Sequence, residues 1–395
     1  MRSSCLSDST RLGFRRVTTM DSLLQRGNPA AMTSSELEVG TSPFPSGEST
    51  ATAIRIEPLT ECSEGEWDRF VLAHEKGTFF HQLGWKRVME KTYGYEPYYF
   101  CARQSGKITG IAPAFLVSSW IMGRCLLSLP FAAYGSVCAV DTESEQALVR
   151  HLEEQASVLN VEFLELRNRN GGLRPGYHAN PRYATFTLPV TAETEAIYRA
   201  FPKDIRYMIR KGERAGLVAK GGFDQLPSFY QLMLANLRRL GTPAFPLALF
   251  ENLIREYPGQ IDLTLVYWRD KPIAGGMSFF FRDWMQPYYI GALDEAKAVG
   301  ANNYLWWELI KLAAHSGRTT FDFGRSKKQS GNYDFKKKWN PRIETLDYQV
   351  RLLRRKDLPN FSPANPKFEL ATNIWKRVPL GLTRMIGPRL VRWFP

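Results

Sequence analysis

A cluster of lysines follows an Asp-Phe-Gly tripeptide in the last quarter of the chain. The stretch Phe321–Pro341 has the sequence FDFGRSKKQSGNYDFKKKWNP. Asp322 stands at the end of an apolar, strand-like run, and ligands of α/β sheets gather where strands end. A lysine such as Lys336 could stabilise negative charge that develops on a carbonyl oxygen, or hold an acidic donor. The alternative is a solvated lysine run beside a structural aspartate.

A basic helix earlier in the chain is the second candidate for chemistry. The stretch Lys203–Gly216 has the sequence KDIRYMIRKGERAG. Its cations recur at spacings of three and four residues, which places most of them on one helical face. Such a face can hold a phosphate or a carboxylate by charge-assisted hydrogen bonds. The alternative is an ordinary solvated amphipathic helix.

The elements that must position these two motifs follow one order twice. Hydrophobic periodicity predicts the order β-α-α-β-β-β-α-β for Ile54–Leu166 and a similar order for Tyr183–Arg351, with a loop between them. The two halves share this order of elements although their sequences have little identity. The repeat is therefore a repeat of structure, which indicates a duplicated α/β unit. Prolines and glycines break the apolar stretch Ile108–Val140, which favours a hairpin of a buried sheet over a membrane span.

This organisation divides the chain into four segments. Residues 1–53 are rich in Ser and Thr and poor in periodic apolar residues. We therefore expect them to be disordered, or to be over-called, meaning that the assigned start codon lies upstream of the true one. We predict an N-terminal domain at 54–182 and a C-terminal domain at 183–352. Residues 353–395 form a basic amphipathic tail. Such a tail fits the inner leaflet of a membrane or a tRNA phosphate backbone, and the alternative is a helix packed on its own domain.

The net charge of +13 is concentrated in the tail and in the lysine motif. Residues 351–395 carry +8 and residues 325–342 carry +6, so the rest of the chain is close to neutral. A local basic patch indicates an anionic partner. The five cysteines and five histidines show neither a C-x-x-C pair nor metal-ligand spacing. We therefore expect no metal, no cofactor and a cytoplasmic protein, with a peripheral contact at the inner membrane through 361–395 as a further hypothesis.

Together, the two motifs resemble those of the Fem family of aminoacyltransferases (FemA, FemB and FemX). The pattern K-x-x-R-x-x-I-x-K-x-x-R-A-G is similar to the basic helix of that family, and FDFGRSKKQSGNYDFKKKW is similar to its D-F-G-G…G-L-Y-x-F-K-K-x-F segment. The resemblance covers roughly residues 55–350 and is strongest in the second half. The matching positions of the later motif are Phe321, Asp322, Phe323, Gly324, Gly331, Tyr333, Phe335, Lys336 and Lys337.

The resemblance implies both a fold and an activity. Fem proteins resemble two tandem GNAT-like (acyl-CoA N-acyltransferase-type) domains packed together, which implies an α/β (α+β) fold here. They transfer an amino acid from aminoacyl-tRNA to an amine on a peptidoglycan precursor. The lysine of the late motif lies near the reacting groups, and a basic residue of the middle helix helps to bind the phosphates of the precursor. Carried over, these residues are Lys336 and either Arg206 or Arg210.

The candidate site residues follow from these matches. The catalytic candidates are Lys336, Asp322 and Tyr333. The substrate-binding candidates are Lys203, Arg206, Tyr207, Arg210, Lys211, Gly324, Arg325, Phe335 and Lys337. The chain departs from the family at Tyr207, where Asn is frequent, and at Arg325, where a second Gly is frequent. The expected partners are an anionic cell-envelope precursor and tRNA.

The acceptor is less closely defined than the reaction class. The segments GTPAFPLALFENLIREYP and GALDEAKAVGANNYLWWEL resemble a Fem-related branch that occurs with bacterial exopolysaccharide and protein-sorting (PEP-CTERM) systems. The implied acceptor is therefore an amine on a cell-envelope precursor related either to peptidoglycan or to exopolysaccharide.

An alternative acyl donor is acyl-CoA. GNAT domains that use it cradle pyrophosphate with Q/R-x-x-G-x-G/A at a helix N-terminus, and Lys297, Gly300 and Asn302 occupy the corresponding place in KAVGAN. The other interpretation takes Gly300 as a loop residue and Asn302 as a helix cap. A third hypothesis is a non-catalytic accessory protein at the membrane surface.

Overall fold

The computed structural model describes residues 53–59, 64–120, 122–358 and 366–395. The segment predicted to be disordered or over-called, 1–53, lies outside the described residues except for its last position. The strands are β1 (Arg55–Pro58), β2 (Glu96–Gln104), β3 (Lys107–Ser119), β4 (Gly123–Leu127), β5 (Cys138–Ala139), β6 (Phe163–Arg167), β7 (His178–Ala179), β8 (Tyr183–Pro189), β9 (Val218–Gly221), β10 (Ile261–Trp268), β11 (Lys271–Phe281), β12 (Trp284–Ala292), β13 (Thr320–Asp322), β14 (Ser326–Lys327), β15 (Arg342–Thr345) and β16 (Tyr348–Leu352). The α-helices are α1 (Glu64–Ala73), α2 (Leu83–Tyr93), α3 (Thr142–Val158), α4 (Thr194–Ala200), α5 (Lys203–Arg214), α6 (Leu226–Leu240), α7 (Leu247–Glu256), α8 (Ala301–His315), α9 (Gly331–Lys337), α10 (Pro366–Trp375) and α11 (Leu380–Val391).

The first sheet contains the long apolar stretch of the sequence. Its strand order is β1-β2-β3-β4-β6-β16-β7, and β5 pairs with β3. Strands β4 and β6 are parallel, and α3 makes the crossover between them. The stretch predicted as a buried hairpin forms β3, β4 and β5, which confirms that prediction. Among the described residues, no helix is long and apolar enough to cross a membrane.

The second sheet repeats this arrangement. Its strand order is β14-β8-β13-β12-β11-β10-β9, and β15 pairs with β8. Strands β12 and β13 are parallel, and α8 makes the crossover between them. Each half therefore has three consecutive antiparallel strands, a crossover helix and one parallel strand. The predicted duplication of an α/β unit is confirmed.

The parallel ladder of the second half is very short. Trp284 pairs with Thr320 and Met285 pairs with Phe321. Two residues further along β12 stands Pro287, which has no N–H group with which to continue a ladder. The backbone pairing therefore ends in the middle of the sheet, where side chains can enter between the strands.

One strand passes from the second half to the first sheet. β15 pairs with β8, and β16 pairs with β6 after a connection at Leu346 and Asp347. From its apolar residues, the run Ile343–Arg351 is predicted to be one closing strand. That prediction is wrong, because the run forms two strands in two sheets. A short break inside one apolar run does not show in the hydrophobic pattern, so the sequence could not reveal it.

The two halves share one hydrophobic core. The ring of Phe79 stacks on Tyr257 at 4.1 Å and on Phe279 at 4.3 Å between ring centroids, so a side chain of the first half lies among those of the second. At the edge of this contact, Arg87 of α2 pairs with Glu256 of α7 at 2.6 Å. Residues 52–395 accordingly form one compact unit.

Replacement of Phe79 by alanine tests whether the halves unfold together. We expect Phe79→Ala to lower the free energy of unfolding by about 3–5 kcal/mol, because it removes a buried ring from the shared core. Chemical denaturation followed by circular dichroism measures the change, and one transition is expected. Phe223→Ala is the control, since that ring is 46% exposed. Two transitions, with only one of them shifted, would contradict a shared core.

Candidate active site

Asp322 is the buried centre of the site. Its Oδ1 accepts hydrogen bonds from the Thr185 hydroxyl at 2.7 Å and from the Gly324 N–H at 2.8 Å. Its Oδ2 accepts from the Tyr134 hydroxyl at 2.7 Å and from the Gln286 amide at 2.9 Å. This carboxylate network ties β8, β12 and the turn after β13 to a loop of the first half. With four donors around it, the carboxylate organises the site and is not available as a base.

Lys336 reaches the same turn from α9. Ser330 caps this helix, because its hydroxyl accepts the N–H of Tyr333 at 3.3 Å. The Lys336 side chain is only 9% exposed. Its Nζ donates to the carbonyl groups of Gly324 at 2.9 Å and Arg325 at 3.2 Å. Gly324 has a φ of +75°, a left-handed conformation that glycine adopts without strain.

The environment of Lys336 changes its protonation. Burial lowers the pKa of its ammonium group to about 7, the Asp322 carboxylate opposes this shift, and the Arg325 guanidinium adds to it. A neutral lysine amine has two N–H groups, and the two carbonyl groups accept both. The remaining position holds a lone pair in the neutral form and a third N–H in the charged form. Near neutral pH this nitrogen can therefore accept or donate a proton.

Lys336 lines a cavity of about 410 Å³, which we call the lysine cavity. Its walls come from α6, β12, the start of α8, α9 and Phe131 of the first half. The structure thus brings part of the late motif together with part of the alternative acyl-CoA site. The sequence-predicted residues that line this cavity are Lys297, Asn302, Gly324, Arg325, Phe335 and Lys336.

A second cavity of about 410 Å³, which we call the arginine cavity, is lined by Tyr134 and Gln286 of the carboxylate network. The guanidinium group of Arg169 lies 4.5 Å from the ring centroid of Trp284 and 5.2 Å from that of Tyr134. Arg169 also pairs with Glu344 at 3.0 Å. The walls therefore combine aromatic rings with charged groups, which suits a polar ligand.

Each cavity has a wall residue that bonds to the carboxylate network. Gln286 faces the arginine cavity and Gly324 faces the lysine cavity, yet both donate a hydrogen bond to Asp322. The parallel ladder of β12 and β13 ends one residue before Gln286 and Asp322. The carboxylate of Asp322 therefore links a wall of one cavity to a wall of the other, next to the point where the strands part.

Arg325, a predicted substrate-binding residue, contacts aromatic residues of both halves. Its guanidinium group donates to the Tyr348 hydroxyl at 2.8 Å and lies 4.8 Å from the ring centroid of Tyr183. Tyr348 belongs to the strand that joins the first sheet. Arg325 thus lines the lysine cavity while it also connects the two halves.

The basic helix α5 does not line either cavity. Lys203, Tyr207 and Arg210 are exposed, and Arg206 and Lys211 are half-buried. The predicted substrate-binding residues of α5 are therefore not brought together with Lys336, and their role stays a prediction.

Two further predicted residues lie outside the cavities as well. The Tyr333 ring packs edge-on against Phe186, with 5.1 Å between centroids, so its visible contact is with the core. Lys337 is exposed on the far side of α9 from Lys336. Neither residue lines the lysine cavity or the arginine cavity.

Helix α5 covers the glycine loop of the alternative acyl-CoA site. Gly300 has a φ of +74°, and a Cβ added there would lie 2.7 Å from the Met208 carbonyl oxygen and 3.5 Å from the Gly212 nitrogen. Both Gly300 and Ala301 are buried. A pyrophosphate cradle needs these backbone N–H groups to face a ligand, whereas here the loop lies against another helix.

Sequence reasoning missed most partners of Asp322. Tyr134, Thr185 and Gln286 lie 188, 137 and 36 residues from it in the chain, so they belong to no local motif. The one available signal is Gln286, a polar side chain inside an otherwise apolar strand. The sequence around Tyr134 and Thr185 gives no comparable signal.

Comparison with known proteins places this site in an acyltransferase fold. Residues 199–337 match the family described as Acetyltransferase (GNAT) domain. A search of curated proteins finds no match to the chain. The matched segment contains Lys336, the carboxylate network residues Gln286 and Asp322, and helix α5.

Several solved structures have a similar fold. The crystal structure of FemX has a TM-score of 0.58 and 15% identity, covering 80% of this chain and 100% of that one. The C-terminal domain of a proposed lysylphosphatidylglycerol synthetase from Agrobacterium fabrum has a TM-score of 0.50 and 14% identity, covering 73% and 91%. A tandem GNAT protein from the clavulanic acid biosynthesis pathway has a TM-score of 0.50 and 10% identity, covering 75% and 98%. The predicted tandem GNAT-like fold is confirmed, and with its GNAT domain the chain is an acyltransferase.

The buried amine of Lys336 can be tested without a substrate. Its pKa falls from 10.5 to about 7 on folding, so the folded chain bears the cost of a buried ammonium below pH 7. This cost disappears as the pH rises toward 10.5, because the folded state then binds fewer protons than the unfolded state. The free energy of unfolding of the wild type, relative to Lys336→Met, should therefore rise between pH 7 and 9 by up to about 1.4 kcal/mol per pH unit.

Urea denaturation at each pH measures this difference, and comparison with the variant removes the contribution of other titrating groups. Lys337→Met is the matched control, since it removes an exposed lysine from the same helix, and we expect its difference from the wild type to be the same at each pH. A flat difference for Lys336→Met as well would contradict a buried amine with a lowered pKa.

Proposed function

We propose that this chain is a Fem-like N-acyltransferase that passes an aminoacyl group to an amine on a cell-envelope precursor. The observation that carries the proposal is the Lys336 amine, which is buried, has a pKa of about 7 and lines a cavity beside the parting strands. An acyl transfer to an amine needs a group that takes one proton from the nucleophile. Lys336 has the pKa and the free coordination position for this step.

The reaction balances with Lys336 as the proton acceptor. The amine attacks the carbonyl carbon of the activated ester, a C–N bond forms, and the carbonyl oxygen becomes an oxyanion. The proton of the amine moves to the Lys336 Nζ, and the ester oxygen leaves with the electron pair of the broken C–O bond. The ammonium group formed in this way lies beside the oxyanion and can then protonate the leaving oxygen.

This role differs from the charge stabilisation predicted from sequence. A permanent cation would need a pKa well above neutrality, whereas burial lowers the pKa of Lys336 to about 7. The neutral form is therefore populated at neutral pH and can act as a base. Charge stabilisation follows only after the lysine has received its proton.

The donor that we propose is aminoacyl-tRNA. The late motif resembles that of the Fem family, the fold is similar to that of FemX, and the Gly300 loop is buried under α5. Acyl-CoA remains the second candidate, because Lys297 and Asn302 line the lysine cavity and the matched domain is described as an acetyltransferase.

For the acceptor we propose an anionic precursor related to peptidoglycan or exopolysaccharide, held by the polar and aromatic walls of the arginine cavity. Arg169 and Arg282 line that cavity, and their guanidinium groups are suited to phosphate or carboxylate. The exopolysaccharide and protein-sorting branch stays part of this proposal.

Removal of the Lys336 amine tests the catalytic step. We expect Lys336→Met to lower kcat/KM for transfer from charged tRNA to an amine-bearing precursor by about 10²–10⁴-fold, the contribution typical of a positioned acid or base. The measurement follows a radiolabelled amino acid into the product. Lys337→Met is the control and should retain wild-type activity, since Lys337 lies on the exposed side of α9.

The pH profile separates a base from a fixed cation. With Lys336 as base, kcat/KM of the wild type should rise as the pH passes about 7, because the neutral amine is the active form. A profile that falls through the same pH would show that the charged form is active, and the base role would be wrong.

A choice between donors tests the substrate class. Incubation with charged tRNA and, separately, with labelled acetyl-CoA should show acyl transfer only from the tRNA ester. If only the CoA ester is consumed, the proposed donor is wrong and the acyl-CoA alternative holds. Gly300→Ala is a useful companion, because it should disturb the packing of α5 on α8 without touching the lysine cavity.

A further inference from the structure

The C-terminal tail is docked on the rest of the protein through one side only. Thr383, Gly387 and Val391 of α11 are buried, and an added Cβ on Gly387 would lie 2.6 Å from the backbone nitrogen of Ala244. The indole N–H of Trp375 donates to the Thr242 carbonyl at 3.0 Å. The interpretation of the tail as a helix packed on its own domain is thus correct for one face.

The opposite face of the tail exposes large apolar side chains. On α11, Leu382, Met385 and Ile386 are 46%, 71% and 42% exposed. Their spacing of three and four residues puts them on one helical face, away from the buried stripe. On α10, Leu370 and Ile374 are four residues apart and are 73% and 57% exposed. Large apolar side chains exposed together on one face of a helix indicate an interaction site.

Cations surround this apolar surface. Lys376, Arg377, Arg384, Arg389 and Arg392 are all exposed, whereas Glu369 is the single acidic residue within 366–395. Within the described part of the chain, none of these five cations takes part in an ion pair. Their charges therefore remain available to an external partner.

An exposed tryptophan lies near the end of α11. Trp120, in the turn after β3, is 91% exposed. Its neighbour Ser119 donates a hydrogen bond to the Trp393 carbonyl at 3.2 Å, which holds this turn close to the end of the tail. Tryptophan side chains are favoured where one part of a ring meets lipid and another meets water.

We infer that the exposed face of the tail binds peripherally to a bilayer surface that contains anionic lipids. A bilayer accepts the apolar side chains among its acyl chains and the arginines among its headgroups, so it satisfies both features at once. An RNA backbone would leave Met385 and Leu370 in water. A symmetric second copy would bring two sets of the same five cations together. The inference does not depend on the proposed reaction.

The test uses the full-length protein and two kinds of vesicle. One is pure phosphatidylcholine, and the other contains equal parts of phosphatidylcholine and phosphatidylglycerol. We expect co-sedimentation with the anionic vesicles and little with the zwitterionic ones. The double variant Met385→Glu and Ile386→Glu should reduce partitioning into anionic vesicles at least about tenfold. It removes apolar groups that would insert among the acyl chains and adds negative charge that the anionic headgroups repel. The double variant Arg384→Gln and Arg389→Gln should reduce partitioning by about fivefold for each arginine.

A matched control comes from apolar side chains that are equally exposed elsewhere. Val158 and Leu173 are 79% and 59% exposed and lie outside the tail, so Val158→Glu with Leu173→Glu should bind vesicles like the wild type. Thermal melting confirms that each variant is folded. The proposal is overturned if the wild type binds neither vesicle, if it binds both kinds equally, or if the tail variants bind as well as the control. It is also overturned if the tail variants abolish self-association or RNA retention while vesicle binding is unchanged.

Discussion

A single buried carboxylate determines the arrangement of the site. Asp322 accepts four hydrogen bonds, from a β8 hydroxyl, a β12 amide, a first-half tyrosine and the N–H group of the next turn. An ionised carboxylate in the interior is costly unless each lone pair finds a donor. The strands, the loop at Tyr134 and the turn at Gly324 must therefore hold their positions together. The hydrogen bond from Tyr134 to Asp322 thus joins the two halves beside residues that line the two cavities.

The four hydrogen bonds that Asp322 already accepts also affect its interaction with Lys336. A free carboxylate at the same distance would form an ion pair and hold the ammonium in its charged form. Asp322 is already bonded by neutral donors, and the lysine is bonded to two neutral carbonyl groups, so the attraction between them only partly offsets desolvation. The pKa of Lys336 consequently falls to about 7. Burial within the fold thus gives this lysine the near-neutral pKa on which the proposed base role depends.

The sequence predicted what is local and missed what is distant. Periodicity was sufficient for the duplicated α/β order, and motif spacing was sufficient for Lys336, Asp322 and Gly324. The contact of Asp322 with Tyr134 joins residues 188 positions apart, and only the closing of the shared core brings them together. The same limit explains α5. Its cations show in the sequence, but its packing against Gly300 does not, because that contact depends on how the crossover helix α8 lies on the sheet.

Duplication of the fold allows the corresponding strands of the first half to be compared with this site. There the parallel strands β4 and β6 stay connected beyond their ladder, because Ser128 donates its N–H to the Glu165 carbonyl at 3.0 Å and accepts the Arg167 N–H at 3.0 Å. Arg167 and Glu165 then pair at 2.7 Å in the interior. In the second half the ladder ends before Pro287, and the Asp322 carboxylate with its four neutral donors fills the gap. A paired guanidinium cannot exchange a proton at neutral pH, whereas a partly desolvated lysine amine can. The proposed base role therefore belongs to the half in which the strands part beside a buried amine, and not to the half that holds a paired guanidinium.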